Sequence, residues 1–181
     1  IVLKGLRLNG AIVTEVNSHI PLTRLDQKGD MTVLKLVMRV LKKWKIIGEV
    51  KKHWKDLKEC DFIYVGFPGH FDVLLAYPIK LVLHKKIVFN PLVVFYTGFV
   101  SDQGFIKEGS LFAKIMKFGE KQVYKMSDLI ISDTKLQEKH IHELFGVPYS
   151  KMRTVAIGAD NSVYKYSPQT LKSKNFHVVY Y

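Results

Sequence analysis

The chain has 181 residues, 48% hydrophobic and 24% charged, with 12 Gly and 6 Pro. That length suits one domain, or one domain and part of a second, and that composition excludes collagen, low-complexity and wholly disordered chains. Lys and Arg number 28 against 16 Asp and Glu, a formal net charge of +12, which calls for an anionic partner such as nucleic acid, lipid headgroups or a phosphorylated substrate.

Residues 1–8 read as the last turns of a helix stopped by Asn9-Gly10. Residues 12–16 (IVTEV) follow as a strand. The chain thus opens as though inside a βαβ unit, and a first strand is expected before Ile1. Residues 62–65 (FIYV), 87–89 (IVF), 129–131 (LII), 154–157 (TVAI) and 177–181 (HVVYY) read as further strands. They are β-branched or aromatic without clear alternation, as in parallel sheets covered on both faces. The segments between them are long enough for crossover helices. The pattern predicts an α/β fold: a doubly wound, mostly parallel Rossmann-like sheet with helices on both faces. Residues 1–168 are expected to form that domain without its first strand; residues 169–181 read as a linker and the opening strand of a second domain. No apolar run reaches the ~18–20 residues of a membrane span, and the first ten residues are too short and polar for a signal peptide. A single cysteine, Cys60, precludes an intrachain disulfide and a multi-cysteine zinc site, and a reducing, cytoplasmic compartment fits best. Cys60 itself reads as an inert buried thiol.

Residues 31–58 carry the sharpest pattern. Val33, Val37, Val40, Trp44, Ile47, Val50, Trp54 and Leu57 recur at helical spacing. Asp30 is a suitable N-cap, and Gly48 is expected to kink or interrupt the helix. Nine Lys or Arg against Glu49 and Asp56 give this segment a net charge of +7. Two readings stay open: a crossover helix with a solvated basic face, or a segment drawn to an anionic membrane surface through Lys35, Arg39, Lys42 and Lys43. No recognised nucleic-acid motif is present.

Gly66-Phe67-Pro68-Gly69-His70 directly follows a strand, where open α/β sheets bind ligands. Two glycines permit close approach of backbone, and a His there can act as general base. It is neither a dinucleotide fingerprint nor a Walker A loop. Asn90-Pro91 follows the next strand. The stretch after it reads as a loop with aromatics and the polar Thr97, Ser101 and Asp102, suited either to binding an acceptor as a mobile loop or to packing. His140, His142 and Glu143 lack the spacing of a helical metal site, and no metal is expected.

From Phe118 to Pro168 the order of residues resembles the end of the N-terminal domain of family-four glycosyltransferases, which have the GT-B fold. Glu120 lies in a helix ending at Ser127-Asp128, the strand LII leads to Ser132-Asp133-Thr134, and Phe145-Gly146-Val147 closes the next helix. Lys151-Met152-Arg153-Thr154-Val155-Ala156-Ile157-Gly158-Ala159-Asp160 then precedes Tyr164 and Pro168. The chain departs from the family at Ala156-Ile157 (usually Pro-Asn), Ala159 (usually Val), Thr134 (usually Ser) and Asn90 (often a functional His). The resemblance implies retaining transfer of a sugar from a nucleotide-sugar to a glycan or lipid acceptor, with no obligatory metal or cofactor. It implies that this half holds the acceptor and that a C-terminal half, absent here, binds the donor. On that basis His70 or Asp102 stands in as catalytic side chain, or no side chain does, and Gly66, Gly69, Asn90, Thr97 and Thr134 contact the acceptor. Glu120, Gly158 and Asp160 line an interdomain cleft, with Gly158 in a conformation only glycine tolerates. Many members of the family act at the cytoplasmic membrane face, which the basic segment suits. The competing expectation is a non-catalytic α/β module that binds an anionic partner through its basic helix.

Overall fold

The computed structural model describes residues 2–16 and 45–158 of the chain. The chain divides into two compact units, Ile1–Val13 with Ile157–Tyr181, and Thr14–Ala156. In the first, helix α1 (Val2–Leu8) ends as the sequence predicts. Asn9 Nδ2 donates to Gly5 O at 2.9 Å, and Gly10 takes φ +83°, the left-handed conformation that glycine supplies after a last turn. The strand expected over residues 12–16 is not formed. That stretch is irregular and Ile12 is 100% exposed, because a β-branched run stays a strand only where a neighbour pairs and packs with it.

The second unit is α/β. Its described elements are α2 (Lys45–Lys52), α3 (Trp54–Glu59), β1 (Phe62–Val65), α4 (His70–Leu83), β2 (Lys86–Phe89), a π-helical turn (Thr97–Asp102), α5 (Leu111–Met126), β3 (Leu129–Ser132), α6 (Lys135–Phe145), a 3-10 turn (Tyr149–Lys151) and β4 (Met152–Thr154). The helix expected to falter at Gly48 runs through it and breaks at His53 instead. Local chemistry sets several boundaries. Ser110 caps α5 by accepting from Ala113 N, Thr134 caps α6 by accepting from Gln137 N, and Gly146 closes α6 at φ +71°. The strand expected over residues 154–157 lies earlier, at Met152–Thr154, where Ile130 pairs with Met152 and Ser132 with Thr154. Val155 and Ile157 are exposed.

The four strands form one parallel sheet in the order β1-β2-β3-β4. Residues in register share a face. Val65, Ile87, Phe89, Ile130 and Met152 therefore lie on one side, and all five belong to the core. Val73 and Ala76 of α4, Val123 and Tyr124 of α5, and Ile141 and Phe145 of α6 complete that core. The three crossover helices thus pack on one face, as consecutive strand order with right-handed crossovers requires. On the opposite face Tyr64, Val88, Leu129 and Ile131 are half-buried, while Lys86 and Arg153 are exposed. Burial alternates along β2 and β3 although hydrophobicity does not.

Half of the basic segment, including Lys35, Arg39, Lys42 and Lys43, and the strand expected at 177–181 lie outside the described residues. In the described remainder, Ile46, Ile47 and Val50 of α2 face Leu74, Leu75, Pro78 and Ile79 of α4 across an apolar groove of about 260 Å³. Among the described residues no helix is long and apolar enough to cross a membrane.

Candidate functional site

The carboxyl ends of β1, β2 and β3 carry the polar groups of most interest, at the edge where open parallel sheets bind ligands. The chain leaves β1 through Gly66-Phe67-Pro68-Gly69, with a cis Phe67–Pro68 peptide, and enters α4 at His70. Gly69 is required by packing, not by conformation. A Cβ there would run into Gly66 O and Val65 Cγ1. At Gly66 a Cβ would only touch the Tyr64 ring, at 3.4 Å.

His70 is 5% exposed and stacks on Phe95, with ring centroids 3.7 Å apart and planes at 21°. Phe89 meets it edge-on at 5.1 Å. Its Nε2 lies 3.2 Å from Oε1 of Glu120 on α5. Glu120 is itself 4% exposed and accepts from three further donors: Phe95 N at 2.9 Å, Tyr96 N at 2.7 Å and Tyr124 OH at 3.2 Å. A carboxylate only accepts, so His70 Nε2 carries the shared proton. Nδ1 of the same ring is buried with no hydrogen-bond partner. Burial, reinforced by the charge of Glu120 and by its hydrogen bond, holds the Tyr124 phenol well above its ordinary pKa. An imidazole fixed by stacking and by a carboxylate, with one nitrogen uncommitted, is equipped to accept a hydrogen bond or a proton.

The segment after β2 is not the open loop expected. It winds into the π-helical turn, a rare form that is frequent at functional sites, and is bonded to two helices. Glu120 of α5 takes its Phe95 and Tyr96 amides. Gln137 of α6 donates to Leu92 O at 2.9 Å, and Thr97 Oγ1 lies 2.6 Å from His140 Nε2. Asn90 Nδ2 donates to Tyr64 OH at 3.1 Å, and its Oδ1 accepts from Leu92 N. Past β3, Asp133 N donates to Gln137 Oε1 at 2.8 Å. At the end of β4, Thr154 Oγ1 donates to the buried Glu138 at 2.6 Å. That bond leads the effects that lower the Glu138 pKa against its burial.

Of the residues singled out in the sequence, Gly66, Gly69, His70 and Asn90 meet at the ends of β1 and β2. The side chains of Thr97 and Thr134 are engaged inside the fold, by His140 and by the α6 cap. Asp102 is exposed at the end of the π turn and shares no hydrogen bond or ion pair with His70 among the described residues. Glu120 is enclosed in its network. Gly158 is exposed and lacks the positive φ expected of it, and a Cβ there would meet nothing within 4 Å. Asp160 lies outside the described residues. His142 Nδ1 lies 2.8 Å from Val147 O and its ring stacks on Tyr149, so it faces a different neighbour from His140. Cys60 caps α3, its thiol bonded to Leu57 O and its pKa raised by burial. Tyr64, Phe95, Tyr124, Asp133 and Gln137 were not picked out by sequence reasoning. Only Asp133 left a trace there, as the middle of Ser132-Asp133-Thr134 directly after a strand.

No protein-family model matches the chain, and a search of curated proteins finds no relative.

Proposed function

We propose that this chain is the acceptor-side half of a retaining glycosyltransferase with a doubly wound, GT-B-type architecture. It would move a sugar from a nucleotide-sugar to a glycan or lipid acceptor at an anionic membrane surface. The observation that carries this is the convergence of a glycine-bounded loop, Asn90 and a fixed, half-committed imidazole at one carboxyl edge of a parallel sheet, in a chain whose residues 118–168 resemble that family. Gly66, Gly69 and Asn90 present the acceptor. His70 is the candidate base at this edge, and Glu120 orients its ring as a positioning residue. The nucleotide is left to the other half of the enzyme. The basic segment over residues 31–58 suits an acceptor held at anionic lipid.

Acceptor binding tests this directly. The isotope-labelled chain is titrated with oligosaccharides and with lipid-linked sugars in micelles, and its amide signals are followed. A saccharide acceptor is expected to shift Gly66, Gly69 and Asn90, and nucleotide-sugars are expected to leave them in place. Binding of nucleotide-sugars with no response to any saccharide would refute the assignment.

A further inference from the structure

Three side chains outside the His70–Glu120 network lie toward the half-buried face of the sheet, at its carboxyl edge. Tyr64 stands one residue before the end of β1, Asn90 follows β2 directly and Asp133 follows β3 directly. Strand alternation sets Tyr64 beside Val88, Asn90 two residues beyond Val88, and Asp133 two residues beyond Ile131, all toward one side. The contacts agree. Asn90 Nδ2 donates to Tyr64 OH at 3.1 Å. Burial raises the Tyr64 pKa, the Asn90 bond opposes that, and the charge of Asp133 adds to the rise.

The hydrogen-bonding capacity of this trio has a definite chemistry. Leu92 N donates to Asn90 Oδ1, which fixes the amide orientation and leaves one N–H of Nδ2 uncommitted. Tyr64 OH accepts from Asn90 and keeps its own proton to donate. The Asp133 carboxylate enters no hydrogen bond or ion pair among the described residues. Two donors thus share this edge and face of the sheet with a bare acceptor pair. A phosphate or carboxylate ligand would be repelled by Asp133, and a metal ion would face the two donor hydrogens. A hydroxyl both donates and accepts, and two adjacent hydroxyls would engage Asp133 while accepting from Tyr64 and Asn90. Gly66 keeps a side chain off the Tyr64 ring.

We propose that Tyr64, Asn90 and Asp133 form a binding site for a neutral sugar, in which Asp133 accepts from two adjacent hydroxyls. This rests on the acceptor-side assignment above and names the part of the acceptor that is gripped.

The test uses the whole chain, isotope-labelled, with the methyl α-glycosides of mannose, glucose and galactose, and with monodeoxy versions of the best binder. At least one glycoside is expected to shift the Gly66, Asn90 and Asp133 amides. Asp133→Asn should weaken it about tenfold or more, the loss of a hydrogen bond to a charged group. Tyr64→Phe should weaken it severalfold. The Asp133→Asn unfolding midpoint should be unchanged or higher, because burial disfavours the charge that this variant removes. Deleting the hydroxyl that Asp133 holds should cost the wild type as much as Asp133→Asn does, and cost that variant little more. Sugar binding that maps to the Gly66–His70 loop and is unaffected by Asp133→Asn and Tyr64→Phe overturns this site while leaving the acceptor-side assignment standing. No response to any glycoside or lipid-linked sugar overturns both.

Discussion

Replacing Glu120 by Ala removes one acceptor from four donors at once. The carboxylate is 4% exposed, and its partners are the Phe95 and Tyr96 amides, the Tyr124 hydroxyl and His70 Nε2. Each donor left unsatisfied in a buried place costs about 1–3 kcal/mol. The four are clustered and would relax together, so their penalties do not add in full. Loss of one partner from a buried charged network typically costs about 3–5 kcal/mol, and that is the expected destabilisation. A domain of ordinary stability holds only about 5–15 kcal/mol in total. With a urea slope of about 2 kcal/mol/M, the midpoint should fall by about 2 M at constant slope. Glu120→Gln is the finer probe. Its amide oxygen can keep the three donors on Oε1, but its NH₂ group would face Tyr96 N, 2.7 Å from Oε2 in the wild type. A loss of about 2 kcal/mol is expected there, from one charged hydrogen bond removed and one donor opposed. Hydrogen exchange should locate the damage, with Phe95 and Tyr96 losing protection before the strand amides. If Glu120→Ala unfolds within 1 kcal/mol of the wild type, Glu120 does not hold the site together.

Gly69→Ala should lower the thermal midpoint by about 5 °C or more, since overpacking costs about 1–3 kcal/mol and the obstructing Gly66 carbonyl is backbone. Gly66→Ala meets only the Tyr64 ring at 3.4 Å and should cost less than about 1 kcal/mol; equal midpoints for the two variants would refute the packing account. Alkali should destabilise the fold through Tyr124. Its folded pKa lies well above that of an unfolded phenol, about 10. The unfolded chain therefore releases this proton first, and stability that is complete below about pH 10 declines as the pH rises beyond it. Phenolate absorbance should show the Tyr124 fraction appearing only with unfolding, and its titration near pH 10 in the folded chain would disprove the shift.

Much of the sheet is legible in the sequence, because short β-branched and aromatic runs bounded by polar residues have few alternatives. Residues 62–65 are the clearest case, matching β1 residue for residue. The errors share one physical origin: hydropathy does not report which neighbour a residue finds. Residues 12–16 have strand composition, yet no strand forms there. Val155 and Ile157 look like strand residues, yet the ladder to β3 uses Met152 and Thr154. Tyr64, Val88 and Ile131 are apolar enough to hide a one-sided burial pattern. The site was harder still. Resemblance drew attention to Glu120, but its donors come from 4 to 50 residues away along the chain. Asp133 went unremarked beside Thr134, whose hydroxyl serves the helix cap. A carboxylate that satisfies nothing within the fold stands out only once the surrounding hydrogen bonds are known.

The anchoring of the segment after β2 bears on how a ligand would be received. Leu92, Phe95, Tyr96 and Thr97 are bonded to α5 or α6, so its backbone is ordered before any ligand arrives. Fixing one residue of a flexible loop costs roughly 1–2 kcal/mol. A receptor that has already met that cost in folding binds with less entropic opposition. Its association rate is then governed by encounter and orientation, and differences among related ligands emerge in how slowly they leave. The same rigidity narrows tolerance. A hydroxyl of the wrong configuration cannot be accommodated by rearranging the segment, so epimers of a bound sugar should differ chiefly in residence time.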